Sequence, residues 1–446
     1  MSNIQAIASC AHLINGEESD YDGLLEQIGE ARIVLLGECT HGTQEFYHER
    51  ARITQRLISE CNFSAVAVEA DWPDAYRVHR YLQGRGDDTD AESALAGFKR
   101  FPTWMWRNSE TADLVDWLRD YNSALLPGAH PVGFYGLDLY SMFASIEAVL
   151  HYLDQTDPAA AGRARQRYAC FDRYRHDSQD YGYAAGLGLS PSCEQAVLAQ
   201  LQDMHRQGAH YLHHADAEGS DAFFYAQQNA SLVANAEQYY RIMFQDRVAS
   251  WNVRDRHMTM TLEALEHYLS RRNGEAARIV VWAHNSHLGD ARATDAAEVG
   301  QWNVGQLVRQ LYDKQVYAVG MSTYHGTVTA ASSWNGAWET MQVRPAHADS
   351  YEALLHRTGI ERMLLPLHGA GGAGHLLPKE HMQRAIGVIY QPATELYSHY
   401  LTARLAEQFD AVLHVDTSHA LTPLDSPEDV RQPEPGEAPE TFPAGV

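Results

Sequence analysis

Short apolar, β-branched runs that end in polar residues recur along the chain. RIVLLGE occupies 32–38, SAVAVEAD 64–71, PVGFYGLD 131–138 and RIVVWAHN 278–285. VYAVGMS at 316–322, RMLLPL at 362–367, AIGVIYQ at 385–391 and AVLHVD at 411–416 continue the series. Runs that are apolar at nearly every position, rather than at alternate ones, predict strands covered on both faces. Amphipathic stretches fall between them, such as QEFYHERARITQRLISE after the first run and VGQLVRQLYD before the fifth. In the former, Phe46, Arg50, Ile53 and Leu57 share one helical face, which predicts a buried Arg50 paired with Glu38 or Glu69. The alternation predicts a three-layer α/β/α fold with a largely parallel or mixed central sheet.

The pattern breaks between 142 and 270, where long polar-aromatic, helix-prone segments such as CEQAVLAQLQDMHRQ and RDRHMTMTLEALEHYLSR replace it. The expected organisation is a first half of the core over 1–141, a helical insertion or lid over 142–270, a second half over 271–424 and a flexible tail over 425–446. The tail is rich in Pro and Glu, a composition too poor in large apolar groups to order itself. At 446 residues the chain exceeds the ~250–300 at which one core usually stops growing, which fits a core carrying an insert.

Charge narrows the partners. Fifty-eight Asp and Glu against thirty-four Lys and Arg give −24, which repels nucleic-acid phosphate and anionic membranes alike. The first twenty residues hold neither a basic segment nor an apolar run of signal-peptide length, so a cytoplasmic location is expected. The five cysteines, Cys10, Cys39, Cys61, Cys170 and Cys193, are scattered and odd in number, so no disulfide frame and no thiolate zinc site is expected.

Ligands of open parallel sheets bind beyond the carboxyl ends of the strands. That rule nominates Glu38 and His41 after the first run, Glu69 and Asp71 after the second, Asp138 after the third, and His284, Asn285 and His287 after the fourth. Gly37 and Gly42 flank the first loop and allow a sharp turn that presents a carboxylate and an imidazole to one crevice. Trp104, Trp106, Tyr239, Tyr240 and Trp302 could wall an apolar pocket there, or simply pack in the core.

Several of these residues carry a resemblance to a known family. The Gly-Glu-x-x-His-Gly loop at 37–42, Arg50, the strand-end Glu69 and the Ala283-His284-Asn285-Ser286-His287 segment are similar to the erythromycin esterases. So are FPTWMWRN at 101–108, GLDLYS at 136–141, SWNVRDRHM at 250–258, NVGQ at 303–306 and FDAVLHVDTSHA at 409–420, so the likeness spans roughly 25–424. The resemblance implies hydrolysis of an ester by an activated water without a metal, with a macrolide lactone as the best-known substrate and antibiotic resistance as the setting. By position, it implies His41 as general base, Glu38 as orienter of the water or the imidazole, and Arg50 and Glu69 as supports. It implies His284 as oxyanion stabiliser or aid to proton transfer and His287 as a residue near the site; on physical grounds His284 as an imidazolium, or Arg50, would stabilise the developing charge, and His287, Trp104, Trp106 and Asp138 are the expected substrate contacts.

Two alternatives remain at this level. Glu38, His41 and His284 or His287 could instead hold Zn or Mn whose bound water attacks, or the chain could be a non-catalytic binding or biosynthetic relative. Other signals are weaker. Gly320-Met321-Ser322-Thr323-Tyr324 lacks the second glycine of a nucleophile elbow. Gly369, Gly371 and Gly374 have dinucleotide spacing, but Pro378 stands where a helix should run. His210 and His214 lack a His-Glu-x-x-His partner and read as a solvated face. A small-molecule ester is the expected partner, and the sequence is silent on oligomeric state.

Overall fold

The computed structural model describes residues 2–174, 177–213 and 216–427. The tail expected over 425–446 lies outside them from 428 onward, as does His214. Eleven strands are present among the described residues: β1 His12–Leu13, β2 Ile33–Leu36, β3 Ala65–Asp71, β4 Gly133–Asp138, β5 Ile279–Trp282, β6 Val316–Ala331, β7 Trp338–Val343, β8 Arg362–Pro366, β9 His381–Arg384, β10 Tyr400–Ala403 and β11 Ala411–Ser418. Nine form one mixed sheet in the order β1-β8-β11-β6-β2-β5-β3-β4, with β7 on the distal part of β6. From β11 to β4 every neighbour is parallel, whereas β8, β1 and β7 add on antiparallel.

Successive side chains of a strand point to opposite faces, and the interior divides accordingly. Ile33, Leu35, Ala67, Ile279 and Val281 pack into one core with the helices of the insert. Val34, Leu36, Val66, Val280 and Trp282 pack into the other, under the Gln44–Cys61 helix. These are the three layers expected from doubly covered strands. Between β4 and β5, the span from Met142 to Asn273 is built of α-helices joined by short connections. Its last two, Ala217–Met243 and Arg247–Asn273, are 27 residues each. No helix among the described residues is long and apolar enough to cross a membrane.

The structure corrects two expectations. AIGVIYQ at 385–391 is not a strand: only isolated bridges, Thr40 to Ile386 and Ala331 to Ile389, occur there. Its amides are taken up by other irregular backbone, Ile386 N–H donating to Cys39 O at 2.7 Å and Tyr390 N–H to Ala331 O at 3.0 Å. The apolar run is buried because it braces the loop after β2, and the regular ladder forms beside it between β9 and β10. Second, Cys170 and Cys193 form a disulfide. They stand 23 residues apart, and packing inside the insert brings their Cα atoms to 6.0 Å, a proximity that spacing alone does not reveal.

Two consequences are measurable. After denaturation three thiols, Cys10, Cys39 and Cys61, should react with a thiol reagent, and five after reduction. Cys170→Ser should lower stability by roughly 3 kcal/mol, the loop-closure value for a ring of this size, read as a lower urea midpoint; an unchanged midpoint would mean the bridge does not restrain the unfolded chain.

Candidate active site

Neighbouring strands lie about 4.8 Å apart, so the ends of β2, β5, β3 and β4, adjacent in that order, bring their loops within one crevice. Their residues come from 38, 284, 69 and 138. The loop after β2 is pinned by its carbonyls: Glu38 O accepts from Asn285 N–H at 2.8 Å, His41 O from Tyr47 O–H at 3.0 Å and Gly42 O from Thr329 N–H at 3.0 Å. Gly37 and Gly42 are required there by close approach, because a Cβ at either would run into Asn285 Oδ1 or Thr329 O.

Glu38 is wholly buried. Its Oε1 accepts from His41 Nδ1 at 2.9 Å, and its Oε2 is 2.9 Å from an Arg50 terminal nitrogen. The second contact is an ion pair by distance without the alignment of a hydrogen bond, since neither atom has a properly directed partner. The guanidinium lies between aromatic faces, its carbon 4.3 Å from the Tyr47 ring centre and 4.6 Å from that of Trp282. Of the two acceptors foreseen for Arg50, the structure selects Glu38. In the neutral tautomer that gives Nδ1–H to Glu38 the lone pair of His41 lies on Nε2, and His41 lines the cleft.

His284 sits beside it, ring centres 4.9 Å apart. Its Nδ1 accepts from the Ser286 backbone N–H at 3.2 Å and lies 2.8 Å from the Ser286 hydroxyl, which leaves the proton on Nε2. That Nε2 is buried without a hydrogen-bond partner. Burial holds His284 well below the ordinary imidazole range. The imidazolium expected from the sequence is therefore replaced by a neutral ring that offers an N–H.

Glu69 faces a different arginine from the one anticipated. Arg254 donates to Glu69 Oε1 at 2.7 Å and to both oxygens of Asp138, at 3.1 and 2.7 Å. Glu69 Oε2 accepts the His284 backbone N–H at 2.9 Å. Burial pushes the Glu69 carboxyl up, but His287 and Arg254 outweigh it and keep it well below the usual range.

His287 lies behind Glu69, its ring stacked 4.5 Å from that of Trp251. Its Nδ1 meets Asp255 at 2.9 Å, and its Nε2 is 3.0 Å from Arg254 and 3.3 Å from Glu69. An arginine can only donate and a carboxylate only accept, so these two contacts demand opposite protonation of Nε2. Burial opposes the charged ring, yet Asp255 and Glu69 outweigh it and push His287 up to about 9. Three carboxylates, Glu69, Asp138 and Asp255, surround one guanidinium here. A charged ring lowers the net buried charge, and its Nε2 then forms an ion pair with Glu69 at 3.3 Å.

The cleft itself is a cavity of about 60 Å³. His41, Glu69, Asp138 and Arg254 form its floor, and Trp106 is one wall. Trp104 does not line it: it is fully buried, edge-on to Phe101. Tyr239 and Tyr240 are core residues, Trp302 lines a separate 460 Å³ pocket, and Arg50 and His287 stay behind the floor. Asp71, Asp74, Arg100 and Tyr140 also face the cavity. Burial, and then Asp71 beside it, push Asp74 up to about 7.

Arg254 and Asp255 are the functional residues the strand-end rule missed, since they come from the middle of the Arg247–Asn273 helix. An Arg-Asp doublet set among Trp251, Val253, Met258 and Leu262 was the available signal. Among the described residues no three His, Cys, Asp or Glu side chains converge to hold a metal ion. The oxygens that would be first candidates are engaged, those of Glu38 by His41 and Arg50 and those of Glu69 by Arg254 and a backbone amide.

Comparison with known proteins adds the family dimension. A family model described as erythromycin esterase matches residues 58–418. A putative hydrolase, YbfO, of Bacillus subtilis strain 168 is 22% identical over 421 residues, covering 90% of this chain and 87% of its own. The crystal structure of a succinoglycan biosynthesis protein superposes with a TM-score of 0.76 at 20% identity, over 94% of this chain and 97% of that one. An erythromycin esterase EreC mutant in its open conformation gives 0.67 at 17% identity, over 92% and 96%.

The protonation of His287 sets a pH dependence of stability. The folded protein holds this proton more tightly than the unfolded chain, whose imidazole titrates near ~6.5. The contribution is complete below that value and is lost as pH rises through about 9. Its size is on the order of 3 kcal/mol. Urea midpoints should fall between pH ~6.5 and 9 in the wild type and less in His287→Gln; a wild-type midpoint flat across that window would mean the ring is neutral.

Proposed function

The chain belongs to the erythromycin esterase family, and from that premise we propose that it hydrolyses a carboxylic ester or lactone with a water activated by His41 and without a metal. The observation that carries this reading is the buried chain Arg50, Glu38, His41, in which Glu38 engages Nδ1 and leaves Nε2 as the other nitrogen of a ring that lines the cleft.

In the proposed reaction, a water held at Nε2 gives that nitrogen a proton as its oxygen bonds to the ester carbonyl carbon. The imidazolium is stabilised by Glu38, whose own charge Arg50 holds in place. The carbonyl π electrons move to oxygen, and the oxyanion is met by the Nε2–H of His284, whose ring lies against that of His41 just behind the cavity lining. Collapse restores the carbonyl, breaks the bond to the alcohol oxygen, and returns the His41 proton to that leaving group. Glu69 and Asp138 hold Arg254, and Glu69 fixes the His284 backbone, so their part is to position the floor.

The cavity of about 60 Å³ is far below the ~300–1,000 Å³ of sites that enclose drug-sized ligands. The reacting portion of the substrate is therefore small, and a macrolide ring fits only if the rim opens.

The test is a mass-spectrometric screen of macrolides and simple esters. The wild type should add the mass of one water to a substrate, and His41→Ala should lose ~10²–10⁴ of that rate. Rate retained in the variant would remove His41 as the base. Activity abolished by a chelator and restored by zinc or manganese would transfer the reading to a metal-bound water.

A further inference from the structure

The cleft has a mouth as well as a floor, and the charge there is uneven. Four carboxylates, of Glu69, Asp71, Asp74 and Asp138, line the cavity against the guanidiniums of Arg100 and Arg254. Arg254 is committed to Glu69 and Asp138, and Arg100 lies 3.1 Å from Asp71 Oδ2. Asp71 is 8% exposed, yet its Oδ1 is buried with no hydrogen-bond partner. Asp74, half-buried on the first turn of the Trp72–Leu82 helix, has Asp71 beside it and Arg100, Arg77 and Lys99 as more distant cations. The walls opposite are aromatic: Phe98, Phe101, Trp106 and Trp334 line the same cavity.

An unpartnered buried carboxylate oxygen costs free energy unless a ligand satisfies it. An anion would be repelled here, and a wholly apolar ligand would leave the acceptors unpaired. Aromatic faces joined to carboxylates are the chemistry that desolvates and holds an alkylammonium, through cation–π attraction and charge together.

We propose that Asp71, Asp74 and the aromatic wall form a subsite for a protonated or quaternary amine, so that the substrate is an ester bearing a cationic nitrogen near its reacting carbonyl. The word substrate rests on the ester-hydrolase reading; the amine subsite does not. Asp71 supplies the free oxygen, Asp74 adds a second charge once its carboxyl ionises above about pH 7, and the walls exclude water from the cation.

The test separates the two by measuring binding without turnover. Choline and its uncharged isostere 3,3-dimethylbutan-1-ol are titrated into the full-length wild type at about pH 8.5, where Asp74 is ionised, by calorimetry and by quenching of tryptophan fluorescence. Choline should bind at least tenfold more tightly, with the preference shrinking as salt is raised. Asp74→Asn should reduce that preference about tenfold while the affinity for the alcohol stays the same, and Asp71→Asn should act in the same direction. Equal binding of the two probes to the wild type overturns the subsite whatever the variants do. Displacement of choline by micromolar manganese chloride overturns it in favour of an ion site. Choline discrimination in a protein that hydrolyses no ester leaves the subsite standing and removes the hydrolase, whereas hydrolysis of neutral esters without discrimination does the reverse.

Discussion

A carboxylate removed from water must be matched, and in this protein the matching of Glu38 organises the centre. Its two oxygens face an imidazole on one side and a guanidinium on the other, and the guanidinium is held between two aromatic rings. Removing one partner of such a buried pair typically costs ~3–5 kcal/mol, because the charge left behind has no solvent. The loop after β2, the face of the Gln44–Cys61 helix and Trp282 of β5 are thereby tied to one small group of charges. The direction of the His41 hydrogen bond, and so the nitrogen it presents to the cleft, follows from the same contact.

The second buried group repeats the logic around Arg254. One guanidinium serves Glu69 and Asp138 at the ends of neighbouring strands, while Glu69 also fixes the backbone of His284. The two groups meet where the rings of His41 and His284 lie against each other. In the proposed reaction one ring would take a proton and the other would offer one, the pairing that proton abstraction and oxyanion stabilisation require.

Much of the framework was readable beforehand because doubly covered strands leave a plain trace. Seven of the eight apolar runs contain strands, and the ends of four of them supply Glu38, Glu69, Asp138 and His284. AIGVIYQ misled because burial and strand pairing are separate properties, and its Ile386 amide braces the loop after β2 instead. The tandem of Arg254 and Asp255 escaped the strand-end rule because helices contribute side chains from their middles. Spacing could not reveal the disulfide, and it could not decide between Glu38 and Glu69 as the partner of Arg50, since both choices depend on how remote segments pack.

The origin of Arg254 has a further implication. It belongs to the segment between β4 and β5, which by position looks like an accessory cover, yet its guanidinium neutralises carboxylates belonging to β3 and β4. A chimera that exchanged this segment for a foreign one without an arginine at the same height would strand two anions in the interior. Grafting new specificity onto this scaffold by swapping modules is thus constrained by electroneutrality, and redesign is better confined to the rim residues that carry no buried charge.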